Sequence, residues 1–323
     1  MRARTVTGLL MALAVLLTAL AGCSSPAASP APGQATSRTP ASQPSATQSP
    51  QPAISPGSTG TVQLADRPFE LHVPTGYDPA RPGSLLVALH GYTSNGSEVF
   101  SFFGLAEAAD SRDVLVALPQ GTENLRGDRF WNASKACCDF YRSQVDDVAY
   151  LADVIATVQQ QYAVDPARVY VVGHSNGGFM ALRLACDRAD VVAAVASLAG
   201  AMDVGTDCDP ARPVSVLQVQ GTADDTILAG GGQIDGDEYT SAAETVELWR
   251  ERDSCPAGEP SEGPELDADT NVSGDDLTTK TWSGCADGTE VALWSISDGS
   301  HVPALTADFT AALLDWFEAN ARR

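Results

Sequence analysis

Val169-Tyr170-Val171-Val172-Gly173-His174-Ser175-Asn176-Gly177-Gly178 is the stretch whose reading decides the fold. Its first four residues are β-favouring and uniformly apolar, which reads as a short strand buried on both faces. Phe179 to Asp187 then follows a helical pattern. Strand, tight turn and helix is the setting in which G-x-S-x-G has mechanical meaning. The turn forces its serine into a strained conformation, so glycines stand where side chains would collide. The hydroxyl is left clear of the backbone at a helix N-terminus, whose dipole favours developing negative charge. Ser175 is the candidate nucleophile.

Outward from this stretch, buried apolar runs alternate with helical patterns. Strands are expected at Phe69–Val73, Ser84–Leu89, Val114–Leu118, Val192–Leu198, Val214–Gln220 and Trp294–Ser297. Val145, Val148, Leu151, Ile155, Val158 and Tyr162 recur at three and four, the stripe of an amphipathic helix. Further helices are expected around Phe103–Ala109, Ser241–Arg252 and Leu305–Ala319. Strands separated by helices predict one α/β domain over residues 61–323, with a mostly parallel central sheet flanked by helices.

A serine nucleophile needs a base, and there are only 4 histidines. His72 lies in the first strand, His90 shapes a loop after a strand, and His174 sits inside the turn itself. His301 falls late, in Asp298-Gly299-Ser300-His301-Val302-Pro303. The chain order nucleophile, acid, histidine therefore makes it the base. The acid must lie between, after the strand ending at Gln220, in Gly221-Thr222-Ala223-Asp224-Asp225. Asp224 or Asp225 fits, with Asp224 favoured. Two backbone N–H groups should receive an oxyanion: Asn176, after the nucleophile, and Tyr92, in His90-Gly91-Tyr92. Trp131 and His90 are expected to border the substrate.

The two ends of the chain differ. Arg2 and Arg4 precede an apolar run from Thr7 to Leu20, ending Leu20-Ala21-Gly22-Cys23. This resembles the bacterial lipoprotein signal, which implies removal of residues 1–22 and lipidation of Cys23. Residues 23–60, rich in Pro, Ser, Ala, Thr and Gln, read as an extended tether. Fully extended at ~3.1 Å per residue, such a tether reaches on the order of 100 Å. With 19 Lys and Arg against 41 Asp and Glu, the net charge of -22 leaves no basic footprint for nucleic acid. It also disfavours anionic lipid, so membrane attachment is expected through the lipid anchor alone.

Setting Cys23 aside, the other six of the 7 cysteines form an even set in an exported chain, which reads as three disulfides. Cys255 and Cys285 flank one acidic loop and make a natural pair. Cys137 and Cys138, being adjacent, are expected to bond to different partners, leaving Cys186 and Cys208 for them. No zinc spacing is present. The acidic Asp267, Asp269, Asp275 and Asp276 hint at calcium, but their glycine is misplaced and no glutamate closes the loop. A solvated hairpin loop is expected there, and neither a metal nor a cofactor.

The chain from about Phe69 resembles the poly(3-hydroxybutyrate) depolymerase and feruloyl esterase group of α/β-hydrolases, including actinobacterial lipoprotein esterases. Leu89-His90-Gly91, Pro119-Gln120-Gly121-Thr122, Trp131-Asn132-Ala133 with Cys137-Cys138, and Val145-Asp146-Asp147-Val148 carry the resemblance. It continues through Gly173 to Gly178, Gly221-Thr222-Ala223-Asp224 and Trp282-Ser283-Gly284-Cys285. The resemblance implies a Ser175, Asp224, His301 triad, a Cys255–Cys285 bond, and a structural role for Asp146 and Asp147. Two positions depart from the family pattern. Gln220 stands where a histidine is usual, and Val302 follows His301 where the family continues towards a tryptophan.

The expected activity is hydrolysis of a small or polymer-linked carboxylic ester through an acyl-enzyme, outside the cell. A serine peptidase uses the same constellation, but nothing here supplies the propeller or large cap such peptidases carry. An inactive surface binding module is disfavoured by the complete set of candidate groups. No separate polymer-binding module is expected after His301.

Overall fold

The computed structural model describes residues 54–323. Expectations for the segment 1–22, for Cys23 and for the tether as far as residue 53 lie outside the described residues. The strands are β1 (Ser58–Val62), β2 (Phe69–Val73), β3 (Gly83–Leu89), β4 (Leu115–Leu118), β5 (Thr122–Glu123), β6 (Arg129–Phe130) and β7 (Val164–His174). They continue as β8 (Ala194–Leu198), β9 (Ser215–Gly221), β10 (Gly232–Ile234), β11 (Asp237–Tyr239), β12 (Ser261–Glu262), β13 (Leu277–Trp282) and β14 (Val291–Ile296). The helices are α1 (Gly96–Phe102), α2 (Leu105–Arg112), α3 (Asp147–Gln161), α4 (Asn176–Asp187), α5 (Ala242–Arg252) and α6 (Ala307–Ala319).

Ten strands form one sheet in the order β1-β2-β4-β3-β7-β8-β9-β14-β13-β12. From β4 to β14 every pairing is parallel, and the outer strands at both edges are antiparallel. Successive side chains of a strand face opposite ways, so each central strand feeds two cores. Leu85, Val87 and Leu89 of β3 and Val169 and Val171 of β7 pack with α3, α4 and α5. Their alternates Leu86, Ala88, Tyr170 and Val172 pack with α1, α2 and α6. Burial on both faces is why these strands read as unbroken apolar runs.

The domain starts earlier than residue 61. β1 begins at Ser58, and Ile54, itself buried, donates its N–H to the Tyr162 hydroxyl. The residues of β1 are mostly exposed and polar, so ladder bonds to β2 hold the strand where apolar periodicity does not.

The cysteine pairing also needs correction. Cys186, at the end of α4, bonds to Cys208, whose Cα lies 5.4 Å away, within ordinary disulfide reach. Those two satisfy each other, and Cys137 and Cys138 are joined to one another. Cys255 bonds to Cys285. The acidic loop uses its carboxylates on its own backbone. Asp276 accepts the N–H groups of Ala268 and Asp269, and Asp269 accepts those of Asn271 and Ala304.

One buried acid carries a consequence for stability. Asp253 caps α5 and is fully buried; it accepts one long bond from Val214 N–H, and its second oxygen has no partner among the described residues. Burial pushes its carboxyl up from 3.8 to about 7. Between those values the folded chain holds a proton that the unfolded chain has lost. The contribution of this carboxyl to stability is therefore greatest below about pH 4, falls as pH rises from there to about 7, by about 4 kcal/mol in all, and is level above that. Asp253→Asn is expected to flatten that slope and raise the melting temperature at pH 8. A wild-type Tm equal at pH 5.5 and 8, with no gain in the variant, would contradict this account.

Candidate active site

β7 ends at His174 and α4 starts at Asn176, so Ser175 is the entire turn between them. Its φ of 55° and ψ of -121° fall where a non-glycine residue is strained. The surroundings hold it there: its N–H donates to Leu198 O at 2.8 Å, and the backbones around it are packed too tightly for side chains. A Cβ on Gly173 would collide with the Gly177 carbonyl, and one on Gly177 would collide with the Leu89 carbonyl. The first turn of α4 thus rests directly on the end of β3.

The structure brings Ser175, His301 and Asp224 into one hydrogen-bonded chain. His301 Nε2 lies 3.0 Å from Ser175 Oγ, and His301 Nδ1 lies 2.9 Å from Asp224 Oδ2. With Nδ1–H donating to the carboxylate, Nε2 is left to accept the serine proton. Asp224 sits after β9, its side chain fully buried, while the His301 side chain keeps 15% exposure. Burial pushes the Asp224 carboxyl up, but His301 and the N–H groups of Thr226 and Ile227 outweigh it and hold the carboxyl below its ordinary value. Asp225 meets only Thr226 Oγ1 and does not reach the imidazole.

Two supports of this chain carry no motif of their own. Gln220, where the resembled family has histidine, donates Nε2 to Asp224 Oδ2 at 3.0 Å and to Ile227 O at 2.9 Å. His174 places Nε2 2.8 Å from the His301 carbonyl, and its ring lies between Phe102 and His301. Burial lowers its pKa to about 4, so it is neutral and donates that bond. Val302, beside His301, is exposed.

Asn176 and Tyr92 flank the serine on separate elements. A Cβ on Gly91 would lie 3.4 Å from Ser175 Cβ, so the loop after β3 runs against Ser175. Neither the Asn176 N–H nor the Tyr92 N–H has a hydrogen-bond partner among the described residues. The Tyr92 hydroxyl accepts from Asn124 Nδ2, and its ring meets Phe140 edge-on at 5.4 Å.

Trp131 and His90 do not present the exposed surface expected of residues that border a substrate. Both are fully buried. The Trp131 indole N–H is taken by His90 O, and the His90 imidazole bridges Gly91 O and Gly121 N–H. The Trp131 side chain points into the domain. A cavity of about 740 Å³ runs along α4 past Phe140, Phe179, Arg183 and Met202, and none of Ser175, Asp224 and His301 lines it.

A family model described as a putative esterase matches residues 64–262. Feruloyl esterase B of Piromyces equi is 30% identical over 237 residues, covering 71% of this chain and 41% of its own length. Feruloyl esterase C of Emericella nidulans is 30% identical over 182 residues, covering 54% of this chain and 61% of its own. The chain thus spans between about two fifths and three fifths of the length of these relatives. Among solved structures, the acetyl xylan esterase from Aspergillus awamori superposes with a TM-score of 0.59 at 15% identity, over 81% of this chain and 99% of that one. That likeness shows a shared fold, the α/β-hydrolase fold. With the family model covering more than half of its length, this chain belongs to the putative esterase family.

Proposed function

We propose that the protein is a serine carboxylic-ester hydrolase, exported and anchored to the outer face of the membrane through a lipidated Cys23. The observation that carries the activity is the chain Ser175 Oγ, His301, Asp224, with both links at 3.0 Å or less. Ser175 Oγ attacks the ester carbonyl while His301 Nε2 takes its proton. Asp224 stays ionised and steadies the imidazolium that forms. The tetrahedral oxyanion is received by the Asn176 and Tyr92 N–H groups at the positive end of α4. His301 then returns the proton to the leaving alcohol, and water attacks the acyl-enzyme by the same route in reverse.

Feruloyl, acetyl and hydroxyalkanoate esters are the substrate classes proposed, from the resemblance and from the names of the relatives. Full-length protein is expected to hydrolyse p-nitrophenyl acetate and butyrate, with methyl ferulate as the discriminating ester and a chromogenic peptide beside it. Turnover of the peptide with every ester untouched would overturn the esterase reading in favour of a peptidase. For the anchor, the expected result is that the protein fractionates with membranes and that Cys23→Ala abolishes this; an unchanged distribution would overturn it.

A further inference from the structure

The two N–H groups proposed for the oxyanion belong to different parts of the chain, Asn176 at the start of α4 and Tyr92 in the loop after β3. Their separation decides whether one oxygen meets both donors, and donors misplaced by about an ångström lose most of their effect. A buried path of hydrogen bonds joins them. The Asn176 side chain accepts Trp131 N–H at Oδ1, 2.7 Å, and donates from Nδ2 to Trp131 O at 3.0 Å and Cys137 Sγ at 3.4 Å. From the other end of Trp131, the indole Nε1–H donates to His90 O at 3.0 Å, two residues before Tyr92.

Each member of the path is fixed in turn. His90 Nε2 accepts Gly121 N–H at 2.9 Å, so Nδ1 bears the proton and donates to Gly91 O at 2.7 Å. Burial pulls the His90 pKa down to about 4, which keeps this neutral tautomer. Next to Trp131, Asn132 N–H donates to Asp147 Oδ2 at 2.7 Å, and Asp147 Oδ1 pairs with Arg67 at 2.8 Å. Asn176, Trp131 and His90 are all fully buried, so the bonds among these three are shielded from water. Apolar packing tolerates small slips; directional bonds in a dry interior set a spacing.

We infer that Trp131 and His90, with the side chain of Asn176, form a clamp that sets the distance between the two oxyanion donors. They are positioning residues, acting through the backbone of Asn176 and Tyr92. The inference rests on the reading of Ser175 as nucleophile.

Trp131→Phe in the full-length protein deletes the indole N–H and keeps most of the ring. The expected result is a kcat lower by about 10- to 100-fold, below the ~10²–10³ of losing a donor outright, with KM within about two-fold. Affinity for an aryl trifluoromethyl ketone, whose serine adduct carries the oxyanion, should fall in parallel. The acid-side midpoint of the kcat/KM profile should stay in place, because the His301–Asp224 link is untouched. Trp249→Phe is the matched control, since Trp249 is equally buried and its Nε1 has no hydrogen-bond partner among the described residues. Equal kcat for the two variants would overturn the clamp, as would a loss of kcat with ketone affinity retained. If Trp131→Phe does not fold, Asn176→Ala, which opens the other end and keeps the backbone N–H, decides by the same two readouts. Ser175→Ala separates the levels. Activity surviving in it overturns the nucleophile, whereas an inactive Ser175→Ala beside an unimpaired Trp131→Phe overturns the clamp alone.

Discussion

Ser175→Ala is expected to lower kcat for p-nitrophenyl acetate by roughly 10⁵- to 10⁶-fold while the protein stays folded. The loss is large because the serine oxygen forms the bond that the other groups serve. Once it is gone, what remains is binding and the oxyanion donors, worth about 10³- to 10⁴-fold over water. The double variant Ser175→Ala, His301→Ala should therefore be hardly slower than Ser175→Ala. Additive losses in the pair would mean that the two residues act on separate steps, contrary to the 3.0 Å link between them.

Asp224→Asn should cost about 10⁴-fold in kcat with little change in KM. The amide replaces an acceptor that now takes four donors. Oδ1 accepts Thr226 and Ile227 N–H, and Oδ2 accepts His301 Nδ1–H and Gln220 Nε2–H. Two backbone N–H groups fix the amide oxygen on the Oδ1 side, so the NH₂ turns towards His301. A donor facing Nδ1 moves the imidazole proton to Nε2, where it can no longer accept from Ser175. Asp225→Asn is the comparison, and its kcat should stay within about two-fold of wild type because Asp225 meets only Thr226. Steady-state kinetics at one pH separates them, and equal losses in the two variants would contradict the assignment of Asp224.

The parts of the fold legible in the sequence are those where burial writes a pattern. β3, β4, β8, β9 and the Val169–Gly173 part of β7 are covered on both sides, so apolar residues dominate them. The edges were not legible for the same reason in reverse. β1 reads Ser-Thr-Gly-Thr-Val and is largely exposed, β13 reads Leu-Thr-Thr-Lys-Thr-Trp and is mostly half-buried, and ladder bonds hold them where apolar burial is sparse. Ladder bonds leave no trace in side-chain type.

At the site, the turn motif pointed to Ser175, chain order to His301 and to Asp224 or Asp225, and the resemblance to Asp224; the fold brings Ser175, Asp224 and His301 within hydrogen-bonding distance. Side-chain direction is what sequence does not carry. Trp131 stands in a motif close to Ser175, yet its ring turns into the core and its N–H is used on His90 O. Gln220 differs from the resembled family in residue type, and only the coordinates show both of its donor bonds running to the acid loop. The Cys255–Cys285 bond was legible as two cysteines flanking one loop, whereas Cys186 and Cys208 are brought within bonding distance by the fold alone.

Covalent labelling tests the central claim most directly. Full-length protein treated with an alkyl fluorophosphonate and mapped by peptide mass spectrometry should carry one phosphonyl group, on Ser175. Heat-denatured protein and His301→Ala should carry little, because an unactivated serine does not attack phosphorus at a useful rate. Labelling elsewhere in the chain, or none in a folded protein that hydrolyses esters, would contradict the assignment of Ser175 as the nucleophile.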